Sequence, residues 1–181
     1  MYDELWSMEV PTNQTTTPRE GWRISSGVGL RPPAMADGTA VMVTASDGSL
    51  RVVLVGGSQV DSTGASSLVD LGQIWMFTPS TRDGTWSRIV IRNPPLARRG
   101  HIAIAVDPTK IWIQGGRNLD GSEVYSDGAI LDLNTRTWTP TAVGGSRAWG
   151  QVAQKIGEVV LIAGGGFSKL NDCGEVADFV S

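Results

Sequence analysis

Pairs of adjacent glycines end a short apolar run at three places in this chain, and no other feature restricts its fold as tightly. The pairs begin at residues 56, 115 and 164, separations of 59 and 49 residues. They follow the runs Leu50 to Val55, Lys110 to Gln114 and Glu158 to Ala163. Without a Cβ, Gly56-Gly57, Gly115-Gly116 and Gly164-Gly165 let the backbone turn sharply and approach a neighbouring segment. Tryptophan supplies a second marker at Trp22, Trp86 and Trp138, separations of 64 and 52. Two independent markers recurring in the same phase, with a period of about 50 residues, are the mark of a propeller-type repeat.

The segment 97–142 shows one unit whole. A run from His101 to Val106 is followed by the turn Asp107-Pro108, and a second run from Lys110 to Gln114 ends on Gly115-Gly116. A polar loop leads to a third run ending in Leu131-Asp132-Leu133, and Trp138 opens a fourth. Segment 31–93 repeats the pattern. Its strands are Gly38 to Ser46, Leu50 to Val55, Gln73 to Phe77 and Ser87 to Ile91, with Asp47-Gly48 as a hairpin turn. Ser58 to Ser67 reads as a Ser- and Gly-rich loop. Residues 1–24 read as the end of a unit, and 146–181 as the start of another whose third strand is Glu175 to Val180. No helical period of apolar residues stands out. The expectation is an all-β chain of four-stranded antiparallel units, about three in number, forming one domain.

Composition narrows the partners. The chain of 181 residues has a formal net charge of −3 and no clustered basic stretch, which argues against nucleic acid. No apolar run approaches the roughly 20 residues of a membrane span. The N-terminal MYDELWSMEV has no basic region followed by an apolar core, so a cytoplasmic location is the default, and an extracellular one follows only for a piece of a longer chain. A single cysteine, Cys173, excludes an internal disulfide.

Gly-Gly closing the second strand, an aspartate beside aliphatics in the third and Trp opening the fourth resemble the kelch repeat. Arg98-Arg99-Gly100-His101 is similar to the start of that family's first strand. The resemblance covers nearly the whole chain and implies kelch-type β-propeller blades, with the glycines and Trp22, Trp86 and Trp138 as packing residues between blades. Histidine is missing from the equivalent place in 31–93, and Trp149-Gly150 occupies it in the last unit, so no ring of histidines is expected.

Chemistry finds little support. His101 is the only histidine, which disfavours an imidazole-based zinc or copper centre. It reads instead as a first-strand residue hydrogen-bonded between blades. The copper oxidases that carry kelch repeats rely on tyrosine, histidine and cysteine chemistry, which two tyrosines and one histidine do not assemble here. Glu123 and Asp127 match the first two positions of the iron-binding Glu-x3-Asp-x3-His pattern of plant specifier proteins, but Leu131 stands in the third. The pair therefore reads as solvated loop carboxylates. Gly164-Gly165-Gly166-Phe167-Ser168-Lys169 fails both the dinucleotide and the Walker spacing. No catalytic residue, cofactor or metal is expected.

Function falls to the loops. In an up-and-down blade, the loop after strand two and the connection from strand four to the next strand one lie at one end. That end gathers Arg98, Arg99, Arg117 and Arg147 beside Asn118, Asp120 and Trp149. Arginines with an aromatic suit carboxylates through bidentate pairing, so the rim is expected to bind a protein partner, acidic segments above all. The alternative is part of a galactose oxidase-like or other kelch-propeller enzyme, or of a carbohydrate-binding protein, with catalysis in further blades. Closed propellers have typically four to eight blades. A partial propeller completed by further blades or by self-association is therefore expected.

Overall fold

Alternating apolar residues in short runs between turn residues fold here into antiparallel sheets, because each run buries one set of side chains on each face of its sheet. The computed structural model describes residues 5–7, 23–25, 28–45, 47–80, 84–141 and 148–166, with side chains from residue 29 onward. No helix occurs among them, and so none is long and apolar enough to cross a membrane. Trp22, Arg147, Cys173 and the expected strand Glu175 to Val180 lie outside the described residues.

Two sheets form the body. In the first, β5 (Thr39–Thr44), β6 (Leu50–Val55), β9 (Gln73–Thr78) and β10 (Thr85–Val90) run antiparallel in sequence order. The second repeats the meander with β11 (Ile102–Asp107), β12 (Lys110–Gln114), β13 (Gly128–Asp132) and β14 (Thr137–Thr141). A hairpin of β15 (Trp149–Ile156) and β16 (Val159–Gly166) follows, in register from Ile156 opposite Val159 to Trp149 opposite Gly166. Near the N-terminus, β1 (Leu5–Ser7) pairs antiparallel with β2 (Arg23–Ser25).

The sheets share one core. Val41, Val43, Val53, Val55 and Ile74 from the first pack with Ala103, Ile111, Ile113, Leu131 and Trp138 from the second. Burying a Val, Leu or Ile side chain contributes about 1.5–3 kcal/mol, so this seam dominates the energetics of the pair. Trp138 is fully buried in it, and its indole Nε1–H donates to the Leu71 carbonyl oxygen at 2.9 Å. Trp138 thus joins the two sheets.

Trp86 behaves differently. It lies on the opposite face of the first sheet, ring to ring with Phe77 (centroids 4.9 Å apart) and clustered with Trp75 and Met35. No second four-stranded sheet faces it among the described residues.

The outer edge of each sheet is also paired. β3 (Val28–Gly29) runs parallel to β10, opposite Thr85 and Trp86. Arg92 makes the equivalent parallel bridge to Thr137 of β14, donating its N–H to the Arg136 carbonyl and accepting from the Trp138 N–H. Sequence foresees neither, since a two-residue parallel contact has no periodicity to detect. It also reads residues 58–67 as a loop. There the chain forms β7 (Ser58–Val60) and β8 (Ser66–Leu68), which with β4 (Met35–Ala36) make a third, three-stranded sheet. Its polar strands alternate in no apolar pattern. The turn between them is held by the Asp61 carboxylate, which accepts from the N–H groups of Thr63 and Ala65.

The glycine pairs take one conformation three times, with φ of 57° and 97°, 67° and 90°, and 72° and 101°. Gly57 N–H donates to the Arg98 carbonyl at 2.9 Å, and Gly116 N–H to the Ala148 carbonyl at 2.8 Å. Each bond runs from the end of one unit's second strand to the entry of the next unit's first. A Cβ on Gly115 would lie 2.5 Å from the Ala148 oxygen, whereas one on Gly164 meets nothing within 4 Å among the described residues. Both substitutions incur the left-handed backbone penalty of about 1–2 kcal/mol. Only Gly115→Ala adds overpacking, about 1–3 kcal/mol more. Denaturant unfolding should therefore show Gly115→Ala as the clearly more destabilised of the two, and equal losses would refute the close-approach role.

Candidate functional site

The connection from β10 to β11 carries the first rim residues, and burial divides them. Arg98 is fully buried. A guanidinium in that position must find acceptors for its fixed fork of donors. Nε donates to the Leu96 carbonyl at 2.9 Å and Nη1 to the Gly115 carbonyl at 3.1 Å. Nη1 and Nη2 grip Asp127 in a bidentate pair, both at 2.9 Å. The guanidinium carbon also stands 4.7 Å from the centre of the Tyr125 ring. Arg98 therefore lies under the rim rather than on it, a correction to its placement among partner-binding residues. Asp127 is likewise corrected: it is the counter-ion of a buried arginine, not a free loop carboxylate. Hydrogen bonding from Arg98 holds its carboxyl below the usual aspartate range. Burial, with Glu123 second, raises the Tyr125 phenol.

Arg99 and Arg117 exchange backbone N–H···O bonds at 3.0 Å in both directions, which sets their side chains beside each other at the end of the sheets. Arg99 pairs with Asp37 at 3.2 Å. Asp37 itself sits at φ 56°, and its carbonyl accepts from Gly100 N–H at 2.8 Å, so this ion pair spans two units. Arg117 lies over the Trp149 ring, 3.7 Å from its centre. The Nε atoms of both arginines are shielded from solvent and have no hydrogen-bond partner among the described residues.

Asn118 and Asp120 fold their own loop. Asn118 Nδ2 donates to Ser122 Oγ at 2.9 Å and its Oδ1 accepts from Glu123 N–H at 3.1 Å. Asp120 accepts from the N–H and hydroxyl of Ser122, which lower its pKa. Arg99, Arg117, Asn118, Asp120 and Trp149 are thus brought together at one end, whereas Arg147 lies outside the described residues. The exposed carboxylates of Asp37, Asp120 and Asp127 stand among them, so the rim carries both signs of charge rather than a basic surface.

His101 is buried, its ring against the backbone of Gly56. Its backbone carbonyl accepts from the Thr39 hydroxyl at 3.2 Å, but neither ring nitrogen has a hydrogen-bond partner among the described residues. The expected side-chain hydrogen bond between units is therefore replaced by a backbone one. Burial, and then the Arg98 charge, push the imidazole down to about 3. Among the described residues no group of three His, Cys, Asp or Glu could hold a metal ion.

Sequence reasoning missed Asp37, Tyr125 and Asp127 as partners of the rim arginines. Asp127 lies 29 residues from Arg98 and Asp37 lies 62 from Arg99, separations to which no local pattern points. No protein-family model matches the chain, and no curated protein matches it.

These pKa shifts act together in acid. His101 binds a proton in the unfolded chain below about pH 6.5 but in the fold only near 3, so stability falls as pH drops through that window. Asp127, with its lowered folded value, adds a loss beginning near its unfolded pKa. Thermal melts from pH 7 to 4 should show the midpoint decline. His101→Leu should flatten the decline by up to about 1 kcal/mol per pH unit below 6.5. At pH 7, Asp127→Asn should destabilise by about 2–3 kcal/mol, less than the loss of a fully buried partner, because water reaches Asp127. An unchanged pH profile in His101→Leu would contradict the buried neutral imidazole.

Proposed function

We propose that the chain is a set of kelch-type propeller blades acting as a non-catalytic protein-binding scaffold, with its contact surface at the glycine-pair end. One observation carries this reading. The same backbone bond, from the second glycine of a pair to the carbonyl entering the next unit, recurs at 2.9 and 2.8 Å with nearly the same dihedral angles. Four antiparallel strands in sequence order, stacked face to face on the next unit, are what a propeller blade requires. The outward face of the third hairpin, with Val152, Ile156, Val159 and Leu161 exposed, is where a further blade or a second copy would continue the stack.

A rigid stack that holds loops at one end is a common basis for binding. On this rim, Arg117 is the cation best placed to meet a partner. Its guanidinium is oriented by Trp149, which leaves the edge of the fork for a carboxylate in its plane. Arg99 offers a weaker contact, because Asp37 competes for it. The preferred partner is a protein segment carrying spaced carboxylates, able to pass between Asp120 and Asp37. No activity is assigned.

The test is fluorescence anisotropy with a labelled glutamate-containing peptide. Binding should weaken about tenfold in Arg117→Ala, the loss of one charge-assisted pair. Trp149→Ala should weaken it to a similar degree, and raised salt should weaken it further. Unchanged affinity in both variants would overturn the assignment of the rim.

A further inference from the structure

The end of the sheets opposite the rim holds a cavity of about 100 Å³ between the first and second sheets. Its floor is apolar, formed by Val43, Met76, Ile89 and Leu133, and its mouth carries Arg51, Asn134 and Arg136. Arg51 sits opposite Val43 in the ladder of β5 and β6, so it belongs to the face that builds the shared core. There its guanidinium is poorly satisfied. Among the described residues Nη1 has only the Met76 sulfur at 3.9 Å and Nη2 the Asp47 carboxylate at 3.5 Å, while Nε is shielded from solvent and has no partner. Asp47 is a weak competitor, since its other oxygen is engaged by the N–H and hydroxyl of Ser49.

Arg136 approaches from the second sheet, in the turn between β13 and β14. Its backbone stands at φ 53°, a left-handed conformation that favours glycine, yet the position carries an exposed arginine. Its carbonyl is tied to Arg92 N–H, and no described residue hydrogen-bonds with its guanidinium. The hairpin turn, in which the Asp132 carboxylate accepts from the N–H groups of Asn134 and Thr135, thus sets a cation at the mouth of the cavity, opposite a second cation whose donors are only partly met.

We propose that this cavity binds a small carboxylate with a short aliphatic tail, the tail on the Val43, Met76, Ile89 and Leu133 floor and the carboxylate between Arg51 and Arg136. Asn134, whose Nδ2 donates one N–H to Thr109 Oγ1 at 3.3 Å, has a second N–H to offer as a neutral donor. The volume admits a chain of a few carbons, below the 150 Å³ that accommodates benzene. Two arginine forks favour a planar carboxylate, and the apolar floor selects against a fully hydrated anion such as phosphate.

The full chain is titrated with sodium propionate at constant ionic strength, following the thermal midpoint, with propionamide as the neutral isostere. Propionate should raise the midpoint in a saturable way and propionamide should not. Arg136→Gly relaxes the left-handed backbone, so it should melt at or above the unliganded wild type while binding propionate about tenfold more weakly. Arg51→Met, which keeps the apolar stem, should weaken binding by a similar factor. Equal effects of propionate and propionamide, undiminished binding in Arg136→Gly, or equal protection by inorganic phosphate would each overturn the proposal.

Discussion

Two sheets that share an apolar core must bring their ends close enough for backbone to meet backbone, and in this protein that approach depends on the glycine pairs. At Gly56-Gly57 and Gly115-Gly116 the positive φ angles turn an N–H toward the entry of the next unit, where a carbonyl receives it. A side chain at Gly56 would collide with the His101 ring and the Arg98 carbonyl, and one at Gly57 with the Ala36 carbonyl. The apolar seam supplies most of the free energy, but hydrophobic burial is non-directional and does not by itself choose the offset between two sheets. The directional contacts do so: the glycine N–H bonds and the Trp138 indole on the Leu71 carbonyl, with the Arg98 fork on Asp127 and Gly115 fixing the entry to the second sheet.

The buried arginine shows how a polar group can specify position inside such a seam. Its carboxylate partner is half exposed, so only one of the two charges is fully withdrawn from water, and every guanidinium nitrogen has an acceptor. The large penalty of burying an unpaired cation is thereby avoided. Removing the carboxylate would leave that cation without its counter-charge, which couples the rim to the stability of the stack. His101, close by and neutral, escapes a charge penalty at physiological pH but leaves two ring nitrogens without partners.

Much of this was legible in the sequence because it rests on repetition. The spacing of Gly-Gly and Trp places the eight strands of the two complete meanders and the hairpin β15–β16. What was illegible has physical causes. β7 and β8 are polar strands of three residues, without the alternation that marks a half-buried strand. The parallel contacts at Val28-Gly29 and Arg92 are too short to leave a pattern. The sequence puts Arg98 on the rim because it lies in the connection between units, and only the fold brings Asp127 to it and buries it. The Arg51–Arg136 cavity lies between turns of different units, so its two cations are distant in sequence and were not read together. The rim proved less basic than the sequence implied, because Asp37 and Asp127 are carried to its arginines by the chain's path.

The interunit backbone bonds are integral to the fold rather than incidental contacts at its ends. Native-state hydrogen exchange measures this directly. The amides of Gly57 and Gly116 and the indole N–H of Trp138 should exchange only through global unfolding, with one common free energy, while the amides of Thr63 and Gly64 in the exposed β7–β8 turn exchange far faster. If the two glycine amides exchange as fast as that turn while the strands around them stay protected, the units are not held together in the way described.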